Sequence, residues 1–418
     1  MKYLIFLCLG ILTSFYIFPV EFTFFSGINT KILLAIIGCL FFLFNALRIK
    51  EIKISQKLVG ATAISFIFSF SCLLSCEFNN TYDYSYVTYF ISFFTWLMGA
   101  YGLCELIRFY HGKSTIRNVT FYLAAVGIFQ CIMALLIDTY PSVKNAVNSI
   151  FANDVEFYEG IDRLYGIGAS LDTAGVRFSI MLILIVHLFH TEQLKKYQIY
   201  FLWISFSIIV IIGNMIARTT TIGALLAIGY FFYRSMVSQK KPFVNYTKIY
   251  VVFFFLIIIS IGASVYLYNH NEVFYSNIRF AFEGFFNWIE HGEWRTGSTD
   301  KLNAVMWIWP NNIHEWIWGT GLFGNYIYST DIGYCRFILY CGVVGFSIFV
   351  FFFGYNSFAL YSLKKIDAYL ALLFFALTLI IWIKVATDIF FIYAVLYCLD
   401  DVDFSLLDDS QQEVVQIK

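Results

Sequence analysis

An arginine beside hydroxyls in a very short polar turn suits phosphate chemistry, and the segment Gly213-Asn214-Met215-Ile216-Ala217-Arg218-Thr219-Thr220-Thr221 has that composition. It separates two apolar runs, so Arg218 is a fixed cation next to three hydroxyls and the N-terminus of the following helix. A guanidinium fork grips phosphate oxygens in pairs, and the unpaired amides of a helix N-terminus favour the same anion. Two further arginines have related settings. Arg163 closes the otherwise acidic segment 153–167, and Arg177 follows in Leu171-Asp172-Thr173-Ala174-Gly175-Val176-Arg177. For these two the alternative is a snorkelling side chain or an ion pair with Asp162 or Asp172. Arg218 has no acid close to it in sequence.

The second concentration of functional residue types is 269–330. It holds Trp288, Trp294, Trp307, Trp309, Trp316 and Trp318, six of the nine tryptophans, with Tyr326 and Tyr328. Aromatic faces with polar edges are platforms for sugars, but they also form the interfacial belt of membrane proteins, and the spacing does not choose between the two. Glu283, Glu290, His291, Glu293, Arg295, Asp300, His314 and Glu315 are interspersed, so the segment is titratable as well as aromatic. Other chemistries have less support. The nine cysteines fall almost entirely in apolar runs, as buried thiols do, and the six histidines lack metal-ligand spacing. Asp400-Asp401-Val402-Asp403 reads as the start of a solvated acidic tail, 400–418.

The elements that position these residues follow from hydropathy. The chain is 60% hydrophobic and 13% charged, and stretches such as Lys31–Leu47, Leu58–Cys76 and Val251–Leu267 are nearly free of charge. Such runs approach the ~20 residues that cross a bilayer as a helix. Backbone groups in lipid must pair internally, and the alternation of a barrel is missing, so the expected fold is all-α and polytopic. The spans expected are 3–20, 31–47, 58–76, 86–107, 118–137, 169–190, 199–216, 219–233, 249–268, 332–357, 368–384 and 386–399, twelve in a single domain over 1–418. The first has a signal-like start but no small-x-small cleavage site, and reads as a retained helix. Lys and Arg cluster in alternate loops, at Arg48/Lys50/Lys53/Lys57, Arg108/Lys113/Arg117, Lys195/Lys196, Arg234/Lys240/Lys241/Lys248 and Lys364/Lys365. The positive-inside rule makes that set cytoplasmic, with both termini inside and 269–330 as a large external loop. Residues 368–399 also fit one long tilted helix. Pro19, Pro141, Pro242 and Pro310 fall at span edges or in loops, so no proline-kinked helix is expected at mid-membrane. Mid-helix charge is confined to Lys384 and Asp388, spaced to pair on one face, with Glu105 near a helix end.

Three stretches, in order, resemble the O-antigen ligase/polymerase superfamily of bacterial envelope glycan assembly. Arg163-Leu164-Tyr165-Gly166-Ile167-Gly168 is similar to its Arg-x-x-Gly element, and Ala217-Arg218-Thr219-Thr220-Thr221-Ile222-Gly223-Ala224-Leu225 to its Ser-Arg-Ser/Thr turn. Trp318-Gly319-Thr320-Gly321-Leu322-Phe323-Gly324-Asn325, then Asp331-Ile332-Gly333-Tyr334 and Tyr340-Cys341-Gly342-Val343-Val344-Gly345, resemble the end of its large external loop and the next helix. The likeness covers mainly 150–355. Ligases of the superfamily carry a His-Asn-x-Tyr/Phe element where this chain has Ser329-Thr330-Asp331-Ile332-Gly333-Tyr334, so the resemblance is closest to Wzy-type repeat-unit polymerases.

The resemblance implies a GT-C-like fold in the bacterial inner membrane. The implied donor and acceptor are undecaprenyl-pyrophosphate-linked glycans, polymerised into O-antigen, capsule or exopolysaccharide, with a chain-length regulator as partner and no cofactor or nucleic acid. No external Asp-x-Asp pair is present, which predicts metal-independent transfer. Arg163, Arg177, Arg218 and Arg295 are the candidates for the pyrophosphate, with Arg163 and Arg218 also catalytic through the charge they stabilise. Asp331, His314 and Glu293 are the candidate bases. Trp294, Trp307, Trp316 and Trp318 are the candidate glycan contacts. A ligase acting on a lipid A-core-like acceptor, or a flippase of lipid-linked sugars, is the competing expectation.

Overall fold

The computed structural model describes residues 2–49, 54–152, 163–237, 265–324 and 328–400, with 258 and 262. Most of the expected span 249–268, the acidic tail beyond Asp400, Asp162, Tyr326 and Lys240/Lys241/Lys248 lie outside the described residues. Apolar runs become helices as expected: α1 (Lys2–Ile17), α2 (Thr30–Ile49), α3 (Gln56–Phe78), α4 (Tyr89–His111), α5 (Ile116–Thr139), the short α6 (Pro141–Ile150), α7 (Leu171–Thr191), α8 (Lys196–Ile216) and α9 (Thr220–Val237). A small hairpin, β1 (Glu21–Phe22) and β2 (Phe25–Asn29), joins α1 to α2 and bridges to Phe151. Seven helices (those containing Thr30–Arg48, Gln56–Phe78, Tyr89–His111, Ile116–Thr139, Leu171–Thr191, Lys196–Ile216 and Gly333–Ser362) are long and apolar enough to cross a membrane, and Tyr3–Ile17 and Ala368–Ile381 are shorter apolar helices. The protein is an all-α multi-pass membrane protein.

Helix starts are set locally. Ser55 accepts from the Lys57 amide ahead of α3, Thr115 from the Asn118 amide ahead of α5, and Pro141 opens α6, where no amide is needed. α7 is the most enclosed long helix, buried around nearly its whole circumference between α5, α8 and α9. Described residues of the predicted basic loops, among them Arg108, Arg117 and Arg234, come together at one end of the bundle. There Arg108 pairs with Glu105 and with Asp400, Arg117 approaches Glu192 at 3.7 Å, and Arg234 lies 3.2 Å from Asp367.

The opposite end, called here the loop end, carries 269–324. Its pieces are α10 (Glu272–Ala281), α11 (Glu283–His291), α12 (Gly297–Lys301), a π-helical turn Leu302–Met306 and α13 (Ile313–Trp318). α10 rests on α8, and α13 on α3 and α14 (Gly333–Ser362).

Two features of the later helices matter for the site. α14 is broken at Gly342, which has φ 66° and ψ 180°, although no proline is near. The Ile317 carbonyl passes so close that a Cβ at Gly342 would meet it at 2.0 Å. The freed carbonyls are taken up by the incoming loop and by α3: the Thr320 amide donates to Leu339 O, and the Gly321 amide and the Ser75 hydroxyl of α3 to Tyr340 O. The break is made by a glycine packed against the loop end and not by a proline, so the expectation of no proline-kinked helix is not contradicted.

The C-terminal pair is a hairpin, not one tilted helix. α15 (Ala368–Ile381) and α16 (Phe390–Cys398) have 14 and 9 residues, and neither alone reaches the ~30 Å of a bilayer core at about 1.5 Å per residue. Both outer termini lie at the basic end, where Lys365 Nζ donates to Leu399 O and the Asp400 amide to Ser114 O. The connecting residues 382–389 reach the loop end, where Trp382 O accepts from the Tyr334 amide.

Candidate functional site

α8 ends at Ile216 and α9 begins at Thr220, leaving Ala217, Arg218 and Thr219 as the turn. Close packing against α7 fixes this turn. A Cβ at Gly175 would meet Thr219 Cβ at 2.8 Å and Ala217 Cβ at 2.9 Å, and one at Gly223 would strike Ser179 Cα at 2.1 Å. The three hydroxyls expected beside Arg218 are used internally. Thr220 donates to Gly213 O (3.1 Å), Thr221 to Asn214 Oδ1 (2.6 Å) and Thr219 to Asp172. Asn214 and the α8 carbonyls are buried polar groups that need partners, so the hydroxyl protons are committed to holding the turn.

The Arg218 side chain is 17% exposed, and its Nη1 lies 2.6 Å from Glu283 Oε2 at the start of α11. The same nitrogen approaches Ser298 Oγ at 3.5 Å. Phe280 of α10 stacks under the guanidinium, with 4.0 Å from Cζ to the ring centre, and Arg163 reaches the same ring at 4.9 Å. One aromatic ring therefore gathers the two arginines singled out in the sequence. Burial lowers the Arg218 guanidinium from its ordinary range, Glu283 pulls it back up, and Arg163 pushes it further down. Arg218 Nε is buried and has no hydrogen-bond partner among the described residues. A buried charged donor without an acceptor is costly, and at this position an anion would satisfy it.

A second ion pair adjoins the turn. Lys384, from the connection between α15 and α16, lies 3.1 Å from Asp172 Oδ1, the carboxylate that also accepts from Thr219. This corrects two expectations. Asp172 pairs with a lysine and not an arginine, and Lys384 does not pair with Asp388. Residues 383–389 are not helical, so the four-residue spacing does not put the two on one face.

The other predicted residues are dispersed. Arg177 lies between the rings of Phe18 (5.6 Å) and Phe391 (5.8 Å), in the bundle interior, away from Phe280. Arg295 is 60% exposed and held by Asp300 (3.1 Å) and Glu293 (3.2 Å), so the predicted phosphate ligand and one predicted base neutralise each other on the surface. His314 and Asp331 are exposed, and among the described residues no hydrogen bond or ion pair links either of them to Arg163 or Arg218.

Of the predicted tryptophans, Trp307 and Trp316 belong to one stack whose middle member is Trp309, at 5.9 and 5.8 Å. Trp318 packs edge-on against Phe78, and Trp294 lies on Gly284. Sequence reasoning missed the roles of Phe280, Glu283, Asp172 and Lys384. Glu283 and Lys384 were visible as charges but carried no signal of partnership with the turn.

A large groove of about 1160 Å³ runs between α1, α5 and α8, lined by Phe6, Ile11, Phe15, Phe121 and Phe129 among others. It extends from Arg117 and Glu192 at the basic end to Phe151 and Ile167 at the loop end, the latter in the segment that opens with Arg163. Comparison with protein-family models, with curated proteins and with solved structures returns no match.

Proposed function

We propose that the protein is a metal-independent glycosyltransferase of the Wzy-type polymerase kind, joining undecaprenyl-pyrophosphate-linked repeat units into O-antigen, capsule or exopolysaccharide. The observation that carries the reading is the buried, unpartnered Nε of Arg218, held beside Arg163 on the Phe280 ring. In the reaction the bond from the donor's anomeric carbon to phosphate oxygen breaks and a bond to the acceptor hydroxyl oxygen forms. The hydroxyl proton goes to a base, and the pyrophosphate leaves with its negative charge increased. Fixed guanidiniums aimed at that growing charge stabilise the transition state more than the ground state. The apolar groove, which reaches Ile167 four residues along the chain from Arg163, suits a polyprenyl tail and so supports a lipid-borne donor.

In this reading the fold is GT-C-like with twelve spans, and the basic end is cytoplasmic. The loop end faces outward from the bacterial inner membrane, and a chain-length regulator acts alongside. The test is to add purified full-length protein to a lipid-linked repeat unit and resolve the products by size. A ladder of chain lengths, lost in Arg218→Lys, supports polymerisation. A single transfer to a lipid A-like acceptor would identify a ligase, and movement of lipid across the bilayer without product would identify a transporter.

A further inference from the structure

A second polar cavity, of about 480 Å³, opens at the loop end between the start of α4, the start of α14 and the connection 382–389. Its wall includes Tyr89, Ser92, Trp96, Phe323, Arg336 and Asp388. The wall itself carries one guanidinium and one carboxylate, and the remaining lining is aromatic or hydroxylic apart from Gly324. That combination is unlike the paired arginines on Phe280 and matches a neutral polyhydroxyl ligand, which presents flat apolar faces and a rim of groups that both donate and accept.

The wall also contains unmet hydrogen-bonding capacity. Tyr89 is 5% exposed, and its Oη has no partner among the described residues. Asp388 Oδ1 accepts from the Phe390 amide at 2.8 Å, while Oδ2 has no hydrogen-bond partner among the described residues. Lys31 of α2 and Arg177 of α7 both act electrostatically on Asp388. Lys31 is itself fixed over Trp96, 4.7 Å from the ring centre, and Arg336 over Phe323 at 4.1 Å.

The cavity is tied to the arginine cluster by a short chain path. Asp388 is four residues beyond Lys384, which binds Asp172 beside the Arg218 turn, and that path spans at most about 14 Å.

We infer that this cavity is a sugar subsite, taking a neutral hexose of the acceptor glycan with its ring against Trp96 and Phe323 and its hydroxyls on Tyr89 Oη and Asp388 Oδ2. The inference rests on the glycosyltransferase reading for the word acceptor; the sugar site itself stands on the cavity. The test is saturation-transfer NMR on the full-length protein in detergent, using methyl glycosides of glucose, galactose and N-acetylglucosamine as probes. Transfer to at least one glycoside is expected, weakened fivefold or more in affinity by Tyr89→Phe and by Asp388→Asn, and unchanged in Arg218→Lys. Tyr89→Phe removes only an unpartnered hydroxyl, so its fold is retained even where Asp388→Asn is poorly folded.

No transfer to any glycoside in the unmodified protein would overturn the inference. So would transfer that survives Tyr89→Phe and disappears in Trp307→Ala/Trp316→Ala. Absence of polymer from the unmodified protein, with glycoside binding lost in Tyr89→Phe, would defeat the polymerase reading and leave the sugar site standing. The reverse pattern would defeat the sugar site alone.

Discussion

Arg218 and Arg295 are both arginines of the loop end held by carboxylates, yet their surroundings differ in every respect that matters for chemistry. Arg295 is 60% exposed, bound by two acids, and freely hydrated. Arg218 is 17% exposed, bound by one acid, stacked on Phe280, and left with a buried unpaired nitrogen. Water screens the first and adds little to an incoming anion's preference for it. The second has been desolvated by folding, so an anion gains the full strength of a charge-assisted hydrogen bond there. The contrast between the two arginines is one of burial and an unused donor, not of charge.

The largest effect is expected from breaking the buried member. Arg218→Lys should lower the rate of polymer formation by about a hundredfold or more, the scale of removing a donor aimed at developing charge. Arg295→Ala should leave the rate within about twofold, as removal of an exposed, screened ion pair does. Initial rates from size-resolved products compare the two, and equal losses would erase the contrast. Phe280→Ala comes next. Two guanidiniums lose their shared ring, and at ~0.5–2 kcal/mol for such contacts the rate should fall by roughly 2- to 30-fold, with Phe280→Tyr restoring most of it.

A smaller effect, on stability and not on rate, is expected at Asp83. Burial alone would raise its carboxyl, but hydrogen bonds from Ser85 and from the Phe323 and Gly324 amides hold it below the ordinary range. A carboxylate depressed on folding contributes stability above its unfolded pKa, near ~3.9, and that contribution is lost as pH falls through the lower folded value. Asp83→Asn should therefore cost about 1–3 kcal/mol at neutral pH. The difference in Tm from the unmodified protein should shrink below pH ~4. A difference that grows on acidification would contradict the assignment. Smallest of all, Glu290→Gln removes the partner of Arg279 in a surface ion pair (2.7 Å) and should change neither Tm nor rate measurably.

What the sequence determined by itself is whatever depends on neighbours along the chain. Hydropathy fixed the helices, because a backbone in lipid must pair within its own segment. The basic loops were legible because Lys and Arg counts need no tertiary information, and their meeting at one end of the bundle follows from the helix order. Arg163 and Arg218 stood out because each lies next to an apolar run, where a cation is unusual.

The partnerships were decided only by the tertiary structure. Phe280 and Glu283 reach the turn because α10 folds back over α8, a contact between segments that no helical period encodes. Lys384 and Asp388 show the same limit from the other side. Four-residue spacing pairs them only if the segment is helical, and the hairpin between α15 and α16 unwinds there, sending one to Asp172 and the other to the cavity at Tyr89. Spacing rules hold within an element; which charges stay buried and unpaired is set by how the elements cross.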